Sequence, residues 1–371
     1  MFRRCLIMSV MAAVLFLSGC SRSGTALFRG DSAHTGWYGE TQKIAGNILW
    51  KVKVGAWVVS SPALSKGRLY IGSAEKKLYC LDPRSGKELW VFQADGSVAS
   101  SPAVRDGRVF FGSGDLNKRS GTFYALDARD GKLLWTFSDG SPIKSSPNFS
   151  GNLVFFGTLK GDLYALLAAD GKVAWKYPVG TYIFITSTPA VADGVLYVGA
   201  WDGKVYALDA ATGKLKWAFE TKDKIGSSPA VADGCVVFGS GDKNIYCLDA
   251  ATGKLKWKVP TGFFVDSSPA IHGGIVYAGS MDGFIYALSL ADGKERWKYF
   301  CAGPVLSSPA VAGGALYAGS QSPEGALFAL SAKDGRMLWK FKTGGQINNS
   351  PVLFRGKVFF ASYDGYLYAL K

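Results

Sequence analysis

The chain has 371 residues, 47 of them Gly, with 48% hydrophobic and 14% aromatic positions. Gly does not fall at every third position, so the chain is not collagen-like, and its apolar and aromatic content excludes a disordered chain. The formal charge of +14 suggests a nucleic-acid partner until the positions of the charges are considered.

Arg3 and Arg4 precede an apolar run from Leu6 to Leu17, and the run ends at Leu17-Ser18-Gly19-Cys20. It falls short of the ~20 residues that span a bilayer, and small residues come after it, so residues 1–19 read as a cleaved signal peptide. Leu-Ser-Gly-Cys resembles the bacterial lipoprotein box, which implies that Cys20 is the lipidated first residue of the mature chain. An ordinary signal peptide ending near a Cys is the alternative. Ser21 stands where lipoproteins kept at the inner membrane often carry Asp, and this implies the periplasmic face of the outer membrane. Cleavage removes Arg3 and Arg4 but no acid, which leaves +12 on the mature chain. The basic excess therefore belongs to the part that folds.

Internal repeats dominate the rest of the chain. Trp50, Trp90, Trp135, Trp175, Trp217, Trp257, Trp297 and Trp339 recur every 40 to 45 residues. In step with them runs Ser-Ser-Pro, beginning at Ser60, Ser100, Ser145, Ser227, Ser267 and Ser307, with variants Ser-Thr-Pro at Ser187 and Asn-Ser-Pro at Asn349. Each unit reads as four short strands of Val, Ile, Tyr and Phe at period two, separated by Gly-bearing turns. Such a sheet buries both faces only by packing against its neighbours, so eight copies predict an all-β fold: a single eight-bladed β-propeller of four-stranded antiparallel blades over residues 48–371. The last unit ends at Tyr-Ala-Leu-Lys without a Trp, while Trp50 precedes the first Ser-Ser-Pro. Residues 48–54 are therefore predicted to form the outermost strand of the last blade and close the ring. Residues 20–47, beginning with the lipidated Cys, are left as a tether that lets the ring stand off the membrane.

The segments LDPRSGKELW, LDARDGKLLW, LDAATGKLKW, LSLADGKERW and LSAKDGRMLW resemble the tryptophan-docking repeat of the pyrroloquinoline quinone (PQQ) β-propeller family. The resemblance implies that the turn Gly lets each of the eight Trp residues pack between neighbouring blades, a structural role.

The propeller frame settles the remaining chemistry. Cys5 falls in the signal, and Cys80 and Cys247 share a repeat position in opposite blades, 1 and 5. Cys235 and Cys247 lie on neighbouring strands of blade 5 and are read as core thiols rather than a disulfide. With only His34 and His272 and no Cys-x-x-Cys, no zinc or haem site is indicated. Lys87, Lys132, Lys172, Lys214, Lys254, Lys294 and Arg336 occupy one turn per blade, so they encircle a rim as solvated residues and no nucleic-acid partner is expected.

Function in a symmetric fold is sought where copies differ. The position before each Ser-Ser-Pro varies freely and includes Lys144, Asp266 and Asn348. The loops leading there carry Trp57, Tyr182, Phe184, Phe263 and Phe264, and the long turn at 114–121 adds Lys118 and Arg119. Strand alternation gathers these residues around one mouth of the axial channel as a candidate partner-binding face, the alternative being ordinary exposed loop aromatics. The lipid box leading into an insertion-poor ring resembles the propeller lipoproteins of the outer-membrane β-barrel assembly machinery. That resemblance implies a non-catalytic scaffold for an envelope protein, the outer-membrane insertase, with no cofactor and no metal. A PQQ- and Ca²⁺-dependent dehydrogenase is the alternative, with Lys144, Asp266 and Asn348 in its site. The 40–45-residue spacing leaves no room for the long insertions that build that site in the family's enzymes, and no two Cys are adjacent. A generic small-ligand-binding PQQ-repeat protein is a further reading.

Overall fold

The computed structural model describes residues 26–40 and 43–371. Its strands form eight four-stranded antiparallel sheets. Blades 1 to 7 span residues 63–93, 103–137, 148–178, 190–220, 230–260, 270–300 and 310–342, and blade 8 spans 352–370 and is completed by Ile48–Lys53. In each blade a three-residue inner strand lines the axis, and longer second, third and outer strands are added outward. The second and third strands lie between two neighbouring blades, so Cys235–Gly239 is buried throughout, whereas the outer strand Leu215–Glu220 alternates exposed and half-buried positions. Tight turns join the strands. Asp193 and Gly194, for example, both hold positive φ, 49° and 73°, which matches a two-residue hairpin to the strand twist.

This path gives the ring two distinct faces. The upper face carries the loops from each outer strand to the next inner strand and the turns between second and third strands. The lower face carries the turns between inner and second strands and the Gly-Lys turns before each Trp.

The closing strand forms as the sequence predicts. Ile48–Lys53 pairs antiparallel with Tyr366–Leu370, with Trp50 opposite Ala369. Towards the perimeter the blades are joined by Trp. Trp217 Nε1 donates to the Ala250 carbonyl of the next blade at 3.1 Å. Its ring covers Gly253, held at φ +70°, where a Cβ would stand 2.7 Å from the indole. Trp339 makes the same joint with the Ile44 carbonyl at 2.6 Å and with Gly46. Residues just before the closing strand thus replace the turn that blade 8 lacks.

At the axis the joints are polar. In seven of the eight copies the second residue of the Ser-Ser-Pro motif receives on its hydroxyl oxygen the backbone N–H of its counterpart in the preceding blade, for example Thr188 to Ser228 at 2.9 Å, Ser228 to Ser268 at 3.0 Å, and Ser350 to Ser61 at 2.9 Å across the closure. The first residue works within and between blades: Ser227 Oγ accepts from Gly239 N at 3.1 Å and donates to the Ser267 carbonyl at 3.0 Å. The serine ladder is therefore a girdle of hydrogen bonds around the channel.

Residues 26–40 correct the tether expectation. They are not a spacer but a hairpin arm inserted into the channel from the lower face. Ala26 pairs antiparallel with Val104 in blade 2, and Trp37 pairs in parallel with Val311 in blade 7. Between them the carbonyls of Ser32, Ala33 and Thr35 accept the N–H groups of Val191, Val231 and Ile271, all on inner strands. The inner strands are sheet edges with unpaired backbone groups, and the arm satisfies them. At its tip Arg29 Nη2 donates to the Pro269 carbonyl at 2.7 Å, and His34 Nδ1 lies 3.2 Å from the Pro229 carbonyl. Asn148 Nδ2 stands 3.2 Å from His34 Nε2. His34 is thus neutral, with Nδ1–H donating; burial and the nearby Arg29 push its pKa down to about 3. Burial likewise lowers Arg29 to about 10. Trp37 stacks on His272 at 3.6 Å between centroids. The signal peptide and Cys20 lie outside the described residues.

Cys80, Cys235, Cys247 and Cys301 are buried free thiols. The Asp of the upper turns is structural too: Asp282 Oδ2 accepts from Gly262 N and from Tyr286 OH, each at 2.7 Å.

Candidate functional site

The upper face is built from loops that each leave an outer strand, turn over the ring and enter the next inner strand. One position in each is fixed by packing: Ile185, Ile225 and Val265 are fully buried. Their neighbours are free to vary. Backbone bonds then bring these loops beside the upper turns, Trp201 N to the Phe184 carbonyl at 3.0 Å and Met281 N to the Phe264 carbonyl at 2.9 Å.

Two groups of predicted residues come together. Arg119, Tyr182 and Phe184 line a cleft of about 660 Å³ across blades 2 to 4, with Leu116, Pro142, Leu159 and Lys160 completing its walls. Tyr182 is 69% exposed. Tyr182 and Arg119 hold left-handed φ of 62° and 51°, a conformation that non-glycine residues rarely adopt. The second group runs on from Phe184 over blades 4 to 6. Phe184 meets Trp201 at 5.0 Å, Lys224 Nζ sits 4.7 Å over Trp201 and 5.9 Å over Phe264, and Phe264 stacks on Phe263 at 4.5 Å. Lys243 lies 5.5 Å from the Phe263 ring. Asp266 stands at the mouth of the channel beside this band. Burial pushes its carboxyl pKa up, Lys224 pulls it back and Asp223 pushes it further.

The other predicted residues are more scattered. Trp57, 57% exposed, sits on the loop into blade 1, three blades from Phe264. Lys118 is exposed in its turn, with its N–H held by Asp115. Lys144 is exposed at the channel mouth. Asn348 Oδ1 accepts from Gln321 Nε2 at 2.9 Å. Trp201 and Lys224 are functional candidates that sequence reasoning did not single out. Trp201 fills the variable place of the Gly-Ser-x-Asp-Gly turn, where other copies carry Gly241 or Met281, so the departure was visible in the repeat.

Calcium beside a quinone needs several oxygen ligands together. Among the described residues no three His, Cys, Asp or Glu side chains form such a group. Asn348 is occupied by Gln321, and Asp266 has the Lys224 ammonium beside it as well as the Asp223 carboxylate, so no third carboxylate or free amide among the described residues joins them. The residues present do not fit that centre.

Comparisons with known proteins agree with the geometry. Residues 184–371 match the family model described as beta-alanine-activating enzyme, beta-propeller. Residues 40–182 match the model described as outer membrane protein assembly factor BamB. No curated protein sequence matches the chain. Among solved structures, BamB from Moraxella catarrhalis superposes with a TM-score of 0.74 at 19% identity, covering 88% of this chain and 99% of that one. The computationally designed Ika8 protein gives 0.77 at 19% identity, with 88% and 99% covered. Quinohemoprotein alcohol dehydrogenase from Comamonas testosteroni gives 0.78 at 15% identity, with 92% and 79% covered. At these identities the likeness establishes the fold.

Proposed function

This chain belongs to the PQQ-like β-propeller family, and we propose that it serves as a non-catalytic, membrane-anchored scaffold that binds an envelope protein through its upper face. The observation that carries this reading is the set of exposed aromatics that the loops bring to one face of the ring. Tyr182, Trp57, Phe263 and Trp201 are 69%, 57%, 42% and 40% exposed. Aromatics with interleaved cations are the residues that anchor protein interfaces. The match of residues 40–182 to the model described as outer membrane protein assembly factor BamB supports outer-membrane protein assembly as the setting, and the insertase is the partner proposed there. Cys20 is the proposed lipid attachment, and Ser21 after it supports the periplasmic face of the outer membrane as the proposed location. The scaffold needs no cofactor.

Photo-crosslinking in cells tests the face. A crosslinker at Tyr182 or Phe263 should trap an envelope protein, and one at Lys214 or Lys254 on the lower rim should not; the reverse pattern would overturn the assignment. The dehydrogenase alternative predicts stoichiometric PQQ binding with Ca²⁺, read as a thermal shift and as alcohol oxidation. Neither is expected.

A further inference from the structure

The lower face breaks the symmetry of the ring in its charge. In blades 3 to 7 the turns between inner and second strands read SGNL, ADGV, ADGC, HGGI and AGGA, with two acids and no Lys or Arg. In blades 8, 1 and 2 the same turns read FRGK, SKGR and RDGR. They place Arg355, Lys357, Lys66, Arg68, Arg105 and Arg108 on three adjacent blades, with Asp106 as the single acid. Arg105 pairs with Asp106 at 3.5 Å, and Arg108 is tied to the Ala168 carbonyl at 3.0 Å. Phe354, 39% exposed, carries the Arg355 guanidinium 5.0 Å over its ring. In the outer turns of blades 2, 3 and 6 on this face, Lys132, Lys172 and Lys294 each pair with the Asp two residues before.

The arm enters the ring at this sector. Ala26 pairs with Val104 in blade 2 and runs antiparallel to that inner strand, so its N-terminal side is directed to the lower face. Residues 21–25 alone separate Ala26 from Cys20. Fully extended, they reach about 20 Å. A lipid on Cys20 therefore holds the lower face of blades 8, 1 and 2 close to the bilayer.

We infer that this sector is a membrane-docking surface for anionic phospholipid headgroups, with Phe354 at the interface. It rests on Cys20 as the lipid attachment. Docking there turns the upper face away from the membrane, where a partner can reach it. Each Lys or Arg near an anionic surface strengthens binding several-fold, and the effect fades with salt.

The test uses the mature chain from residue 20 with Cys20→Ser, so that headgroup binding is read without the anchor. It should sediment with phosphatidylglycerol-containing vesicles but not with pure phosphatidylcholine, and about 0.5 M NaCl should release it. The triple variant Lys66→Glu, Arg105→Glu, Arg355→Glu should weaken binding by ~10-fold or more. The triple variant Lys214→Glu, Lys254→Glu, Lys294→Glu on the same face should bind as the parent does. Failure to bind anionic vesicles, loss only in the second variant, or retention by an oligonucleotide but not by vesicles would each overturn the inference. The anchor is tested separately by mass spectrometry of protein from cells. An unmodified Cys20 would remove the anchor and leave the vesicle result to stand or fall alone.

Discussion

The blades are joined in two different ways, and the contrast shows how the ring divides its labour. Near the perimeter the joint is an indole laid on a bare Gly, repeated from Trp50 on Gly86 to Trp339 on Gly46. At the axis the joint is a chain of Oγ and backbone hydrogen bonds, covered from below by an arm that carries a buried Arg and a buried His. The first kind gains from apolar burial and tolerates partial exposure, since Trp217 remains half-exposed. The second gains little per bond but is costly to leave unpaired. Of the two joints the perimeter one therefore contributes the more stability, and at the axis the arm ties particular blades together.

Breaking the perimeter should have the larger effects. A chain starting at residue 54 leaves blade 8 with three strands and Trp339 without its seat, and the expected outcome is loss of the cooperative thermal transition monitored by circular dichroism; a chain starting at residue 43, which loses the arm but keeps Ile44, Gly46 and the closing strand, should retain a transition. Trp217→Ala should cost about 3–5 kcal/mol in urea unfolding as a large-to-small change at a joint. A matching loss for Gly253→Val would locate the effect in the indole-on-Gly contact. An unaffected Gly253→Val would break the comparison at its perimeter side.

The axis can be probed by pH. Folded His34 has a pKa of about 3, below its unfolded value near 6.5, so below pH 6.5 the unfolded chain takes up a proton that the folded chain refuses. Stability falls as pH drops through that window, by about 2 kcal/mol at pH 5 relative to pH 8. Urea unfolding at the two pH values should show this loss, and His34→Asn should remove it. Ser228→Ala deletes one link of the girdle and leaves the Thr188 N–H unpaired, at a cost of about 1–2 kcal/mol. Smallest of all, Tyr182→Ser should change stability by less than about 0.5 kcal/mol, while reducing capture of the partner by crosslinks from Phe263.

The two kinds of joint were unequally visible in sequence. The Trp ladder and the turn Gly recur around the ring, and repetition turns a weak strand pattern into a blade count and a closure rule. The arm occurs once. Phe-Arg-Gly-Asp-Ser-Ala-His has the composition of a solvated loop, and its burial depends on carbonyls of Pro229 and Pro269, far along the chain, that no local pattern announces. The upper face lay between these extremes. Tyr182, Phe184, Phe263 and Phe264 stood out as departures from the repeat, but the part played by Trp201 and Lys224 in joining them rests on a loop meeting a turn across a blade boundary. The lower-face asymmetry was present in the turns as well. It averages away when the basic residues are taken as one even rim.

The arm and the closing strand also set an order of assembly. Val311, where the arm ends its course, and Tyr366–Leu370, on which the ring closes, are made long after the arm and the closing strand. The arm and the closing strand must therefore wait, unplaced, until those partners have been synthesised. Contacts as distant in sequence as Trp339 with Ile44 slow folding and leave unpaired strand edges exposed meanwhile. The final step in closing such a propeller is the seating of its N-terminal arm and closing strand.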